Sequence, residues 1–254
     1  MFLNSDEVAI TFKESLRLAD KIEQPYSRMG FRGRVRIHEI VDEFGNTVLK
    51  QEKDNLIVLR GRTFALEKLF DDPIDPTASG YKVNLNRTIC LFGIGAGGAD
   101  VESAPFQPFT PIYSDESLAI PVSFVTEDST KYADQDKSNN PSIIESMSSE
   151  QKHIYYNPII RDNGSTEYFS KIFEVNPQWI FNKTTNEVYK KIMLKLASNE
   201  ARGYMINELG LQIAQYDSIN NVYSDTELFS RVTFDTESLT SLTKALLIEY
   251  QVFA

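Results

Sequence analysis

The chain has 254 residues, 41% of them apolar and 24% charged, which is enough apolar material for a folded core and excludes a disordered chain. Its 36 acids against 26 bases leave a net charge of −10, which argues against a general nucleic-acid binder. No apolar run approaches the length of a membrane span, and the first ten residues lack the basic start of a signal peptide.

The first expected element is a helix over 5–22. Ser5 caps it, and Asp6 and Glu7 occupy the first turn, where the helix dipole favours acids. Val8, Phe12, Leu16, Ala19 and Ile22 recur every three or four residues as one apolar stripe, and Pro25 ends the pattern. Residues 1–25 thus read as a helical arm, whose stripe must lie on its own domain or on a neighbouring subunit. Phe12, Leu16 and Ile22 are its interaction candidates.

Residues 26–254 read as one β-rich domain. A hairpin is expected over 33–58, turning at Gly45-Asn46. Arg34, Arg36 and His38 alternate with Val35, Ile37 and Glu39, which puts the bases on one face. Residues 28–68 hold nine bases and six acids, whereas 69–150 hold thirteen acids and four bases. Arg32, Arg34 and Arg36 are therefore candidates for attracting the acidic middle of a neighbouring copy. A short helix follows over 59–70, with Leu59, Thr63, Leu66 and Phe70 on its expected buried side, and Asp71-Asp72-Pro73 stops it.

Residues 84–95 read as a strand entering the glycine cluster Gly93–Gly98. The cluster matches G-x-G-x-x-G, but a loop heading for Pro105 follows it instead of the helix that phosphate binding needs. Tight turning by glycine is the expected explanation. Pro105, Pro108 and Pro111 mark an extended path, and 117–125 reads as an extended segment in which Pro121 marks an edge strand or a strand start. Residues 126–152 form a long polar surface excursion. Strands are expected over 166–176, 187–197, 204–215, 226–234 and 243–253, separated by turn-rich segments. The fold class is therefore mainly β (α+β): an antiparallel β-sandwich-like core with an N-terminal amphipathic helix and one further short helix.

Few residues suggest chemistry. Cys90 sits in an apolar strand and reads as a small core residue, and His38 and His153 are the only histidines. Asp134, Asp136 and Asn139 do not complete a calcium loop. Asp71-Asp72 and Asp115-Glu116 are carboxylate pairs with no apolar surroundings to raise a pKa. Trp179, after Pro177, reads as a packing anchor. No catalytic, cofactor-binding or metal-ligating residue is expected, and no cofactor.

Three segments occur in a suggestive order. Asp54-Asn55-Leu56-Ile57-Val58 leads into the helix beginning near Arg60. Phe92-Gly93-Ile94-Gly95-Ala96-Gly97-Gly98 is followed, across a loop, by Asp115-Glu116-Ser117-Leu118. Ile206-Asn207-Glu208-Leu209-Gly210-Leu211 precedes Leu228-Phe229-Ser230-Arg231-Val232-Thr233-Phe234 and the closing strand 246–253. Over roughly residues 50–254 this order resembles structural proteins of tailed bacteriophages, in tail-fibre bases, baseplates and collars. The sequence departs from that pattern at Gln212-Ile213 and carries no repetitive fibre shaft. The resemblance implies a non-enzymatic virion protein, assembled in the host cytoplasm. It would be a tail, baseplate or neck component that joins other phage structural proteins and anchors fibres. It would work as a homo-oligomer or a multi-copy ring, without nucleic acid, membrane or small-molecule substrate.

In the INELGL segment, Gly210 suits either a bulge or close packing on the neighbouring sheet, while Asn207 and Glu208 can satisfy backbone groups at a strand bend. Two other readings compete. One is a receptor- or carbohydrate-binding β-sandwich using Tyr155, Tyr156 and Trp179. The other is a glycan hydrolase using paired carboxylates.

Overall fold

The computed structural model describes residues 31–42, 44–70, 87–100, 107–125, 148–160, 162, 164, 166–197, 200–201, 203–239 and 244–253. The expected N-terminal helix with Phe12, Leu16 and Ile22 lies outside them, as do Asp71, Asp72, Asp134, Asp136 and Asn139.

The described chain is mainly β. Eleven strands form one curled antiparallel sheet. Its main path runs β7 (Tyr156–Ile160), β8 (Thr166–Ile172), β3 (Thr88–Gly95), β11 (Met205–Asp217), β12 (Val222–Ser238), β2 (Thr47–Ile57), β1 (Arg32–Ile40), β13 (Ala245–Phe253), β10 (Glu187–Leu196) and β9 (Gln178–Asn182). β6 (Pro121–Val122) adds to β3, while β4 (Ala99–Asp100) and β5 (Gln107–Pro108) pair with each other. β2 is the seam of the curl. Most of it pairs with β1, and its last residues, Leu56 and Ile57, pair with Arg231 and Ser230 of β12.

The hairpin joining β1 and β2 forms where its turn residues require. The Asp42 carboxylate accepts from the Asn46 backbone N–H at 2.9 Å and from its amide at 2.6 Å, and Gly45 takes φ +81°. Alternation then sorts β1: Val35 and Ile37 face the core, while the arginines between them face outward. Across the curl, Ile248 and Tyr250 of β13 and Ile192, Leu194 and Leu196 of β10 meet Phe92 and Ile94 of β3 and Leu209 and Leu211 of β11 in one core. Each such side chain contributes about 1.5–3 kcal/mol by leaving water. Tyr250 is wholly buried, so its hydroxyl pairs with Ser230 Oγ at 2.5 Å, and burial pushes its pKa far up.

Two helices are described. α1 (Leu59–Phe70) packs on β12 through Gly61, where an added Cβ would stand 2.0 Å from the Phe229 carbonyl oxygen. Its buried side therefore differs from the expected one. Leu59 and Leu66 are 62% and 43% exposed, and Gly61, Phe64 and Glu67 turn inward. Leucine spacing misplaces the face because a glycine sets the closest approach. α2 (Ser149–Tyr155) begins with a capping box between Ser148 and Gln151. It claims the last residues of the segment expected to be a polar loop over 126–152. No helix among the described residues is long and apolar enough to cross a membrane.

β7 and β9 answer to no expected strand. β9 carries Trp179, which is 58% exposed and so is no buried anchor.

Candidate functional site

The residues singled out along the chain converge on one buried ion network. Gly93 of β3 pairs with Gly210 of β11, and Gly210 pairs with Arg231 of β12. One step along, Gly95 pairs with Glu208, and Glu208 with Thr233. Directly paired residues share a face, as do residues two apart, so these six form one patch. Phe92, Ile94, Leu209 and Leu211 point the other way, into the core.

Three of the six are glycines, and they form the floor of a trough. Leu118 fills it. A Cβ at Gly93 would lie 3.2 Å from Leu118 Cδ1, and one at Gly210 3.1 Å from Cδ2. None of the glycines at 93, 95, 97 and 98 has positive φ, so the expected turning role is replaced by close approach. A Cβ at Gly95 would meet Glu208 Oε1 at 2.3 Å, and one at Gly98 the Asn207 carbonyl oxygen at 2.3 Å.

Glu208 closes the trough. Its Oε1 accepts from Gly97 N at 3.1 Å and Ile120 N at 3.0 Å. Its Oε2 accepts from Ala119 N at 3.2 Å, and from Arg231 Nε and Nη2 at 2.9 and 2.7 Å. Arg231 Nη1 reaches Asp115 Oδ2 at 2.9 Å, and that oxygen also takes the Ile112 N–H at 3.1 Å. Burial works against the Arg231 charge, but Asp115 and Glu208 outweigh it and hold the guanidinium above its ordinary pKa. Asn207 Oδ1 accepts from Gly98 N at 2.6 Å, and Thr233 Oγ1 donates to the Phe109 carbonyl. The segment 109–120 is thus a strap clamped over the sheet.

The arrangement is a clasp. Glu208 is fully buried and takes five donors, so its lone pairs are committed. The glycine cluster that matched the dinucleotide pattern spends its N–H groups on Glu208 and Asn207, and β3 passes to β4 with no helix between.

A second buried group lies near the end of β10. Lys171 Nζ contacts Glu200 Oε1 at 2.8 Å, Glu174 Oε1 at 2.5 Å and the Lys195 carbonyl at 2.8 Å. Tyr156 donates its hydroxyl to Glu200, which also takes the Ala197 N–H at 2.7 Å. Burial, then the Glu200 charge, push the Tyr156 pKa far up. Nothing in the sequence marks this cluster: Lys171 sits in a strand where a lysine ordinarily reads as exposed.

The other named residues fall as follows. Arg32 pairs with Glu187 at 2.6 Å. Arg36 pairs with Glu52 at 2.6 Å and Glu249 at 3.5 Å, and Arg34 lies 3.7 Å from Glu52. The guanidinium carbons of Arg32 and Arg34 also stand 4.6 and 5.5 Å from the Phe253 ring centroid. The three arginines are thus engaged within their own sheet. Tyr156 is buried, so Tyr155, Tyr156 and Trp179 do not form an exposed aromatic cluster. Of the Asp115-Glu116 pair, Asp115 belongs to the clasp and Glu116 is exposed. Cys90 is half-buried, and burial pushes its thiol up.

Two clefts flank the strap, of about 590 and about 670 Å³, and both are bordered by Glu116 and Glu227. Burial pushes the Glu227 carboxyl up, but hydrogen bonds from Arg60 and Arg87 outweigh it and hold it below the ordinary value. Arg60 meets it at 2.6 Å and Arg87 at 2.7 Å.

The chain matches no protein-family model, no curated protein and no solved structure.

Proposed function

We propose that the chain is a non-enzymatic structural protein of a tailed-phage virion, a tail, baseplate or neck component that joins other subunits and anchors fibres. The observation that carries this reading is the use made of the motif residues. Gly93, Gly95, Gly97, Gly98, Asp115, Leu118, Asn207, Glu208, Gly210 and Arg231 are all consumed in clamping one strap to one sheet. On this reading the motif residues serve architecture, a body with a fastened loop, rather than a reaction centre.

The surface supports joining. Edge strand β9 exposes Trp179 and Phe181, and edge strand β7 exposes Ile159 and Ile160. Apolar side chains beside strand edges that no described strand pairs suit contact with another chain. The test is quantitative mass spectrometry of purified virions with cross-linking. Stoichiometric presence, with cross-links from β7 or β9 to other virion proteins, supports the reading. Absence from washed particles overturns it.

One observation favours a second reading, a carbohydrate- or receptor-binding module: Trp179 is exposed, with Lys190 Nζ 4.7 Å from its ring centroid. Glycan-array binding lost in Trp179→Ala would support it. The hydrolase reading gains nothing from Glu227, because a general acid needs a raised pKa and this carboxylate is held down.

A further inference from the structure

An apolar groove of about 350 Å³ lies between α1 and the end of the sheet, walled by Phe31, Phe64, Ile89, Trp179, Ile192 and Phe229. It does not stop at the wall. Lys190 pairs with Trp179 and Val188 with Phe181, so exposed Trp179, Phe181 and Val188 continue it as an apolar stripe across the β9–β10 hairpin. Among the described residues its lining includes three cations, Lys68, Arg87 and Lys190, and no acid, although Arg87 also reaches Glu227 outside the groove. Arg87 is buried, and its Nε has no hydrogen-bond partner. A buried unmet donor is costly, so this wall calls for an acceptor.

We propose that the groove is the seat of the chain's own N-terminal segment, residues 5–22, docked in cis through Val8, Phe12, Leu16, Ala19 and Ile22. The chain itself supplies the argument. Phe31, the first described residue, is part of the groove wall. Eight residues lie between it and Ile22, a reach of at most about 30 Å. Wound at 3.6 residues per turn, the segment puts its three bases, Lys13, Arg17 and Lys21, opposite the apolar stripe. Glu23 follows directly on the segment, at the end of that stripe. The docking face is therefore apolar with an acid at its edge, complementary to an apolar groove rimmed by cations, and Glu23 is the acceptor for the Arg87 wall. The groove is too small for a helix and large enough for its leading side chains. Docked in cis, the stripe and the apolar side chains of β9 are spent within the subunit, and joining falls to edge strand β7. The inference does not depend on the virion reading.

Trp179 is the only tryptophan in the chain and stands in the groove wall, so it reports directly. The experiment measures emission maximum and acrylamide quenching in the full chain, in Phe12→Asp/Leu16→Asp and in Glu23→Lys. The unaltered chain should be protected, with the double variant shifted to the red and quenched about twofold more strongly as the ring is uncovered. Glu23→Lys should fall between, and it keeps the test decisive if the double variant does not fold. Protection in the unaltered chain should persist over a roughly hundredfold dilution, because a tethered segment acts at an effective millimolar concentration. Equal quenching in all three proteins overturns the proposal. Loss of protection on dilution overturns it too, because the occupant is then another copy's segment.

Discussion

The clasp over β11–β12 and the groove beside α1 border the same strand β12, yet they are opposites. In the clasp, Glu208, Arg231 and Asp115 satisfy one another and four backbone N–H groups under a covering strap. In the groove, an indole is 58% exposed and a buried guanidinium nitrogen goes without a partner. Burial of charge is tolerable only when every partner is present. The clasp is therefore complete in itself, and the groove is half of an interaction.

Removing one member of the clasp gives the largest expected effect. Glu208→Ala strands Arg231 and the N–H groups of Gly97, Ala119 and Ile120 in a dry site, and should cost about 3–5 kcal/mol in urea unfolding. Replacing the pair, Glu208→Gln with Arg231→Met, should cost less than the sum of the single changes, because Asp115, which keeps the Ile112 N–H, is then the one member of the clasp without its partner charge. A cost for Glu208→Ala under about 1 kcal/mol would show that the clasp does not hold the strap.

The next effect lies at the wall between the two regions. Gly61→Ala adds a methyl 2.0 Å from the Phe229 carbonyl, which is backbone and cannot swing aside. Alanine favours a helix by about 1 kcal/mol over glycine, but overpacking should win, for a net loss of about 1–3 kcal/mol. A stabilised Gly61→Ala would place α1 farther from β12 than it stands here.

The groove and the clefts beside the strap meet at Arg87, which lines the groove and holds Glu227 at 2.7 Å. The folded-state pKa of Glu227 lies below its ordinary 4.5. Its contribution to stability is therefore complete above that value and is lost as pH falls through the depressed one. Urea midpoints should drop below about pH 4.5 more steeply in the unaltered protein than in Glu227→Gln. Parallel curves would mean that the two arginines do not hold the carboxylate.

The sequence was legible where local chemistry decides structure. Asp42, Gly45 and Asn46 announce their turn, alternation announces β1 and β13, and mainly-β architecture follows from the regular spacing of strands. The clasp was legible in parts. Asn207, Glu208 and Gly210 suggested backbone satisfaction and close packing, but no local signal links Glu208 to Arg231 or Asp115, which are 23 and 93 positions away. The glycines at 93–98 misled because G-x-G spacing serves any close approach, and here the approaching group is the chain's own carboxylate. Lys171 and Glu200 were illegible, since each reads as a surface residue until the curl of the sheet brings β8 against the end of β10. The leucines of α1 misled for a related reason: the deepest contact of that helix is made by the residue with no side chain.

The smallest effect is expected on the outer face of β1. Arg32, Arg34 and Arg36 were expected to attract a neighbour's acids, yet each has an acid of its own sheet close by: Glu187, Glu52 and Glu249. Exposed pairs of this kind are worth about 0–1 kcal/mol, so Arg36→Ala should barely move a thermal midpoint. Reversing all three to Glu is harsher, because it sets acids against acids within the subunit as well as changing the field outside. A charge swap separates the two causes. Arg36→Glu with Glu52→Arg keeps a pair in the chain and leaves the net charge unaltered, while the triple reversal does neither. If the face steers neighbouring copies together, the triple reversal should slow assembly at low salt and the swap should not. The deficit should fade above about 0.5 M salt, where charges are screened within a few ångströms. Wild-type assembly by the triple reversal at low salt would leave these arginines with a purely internal role, tying β1 to its flanking strands.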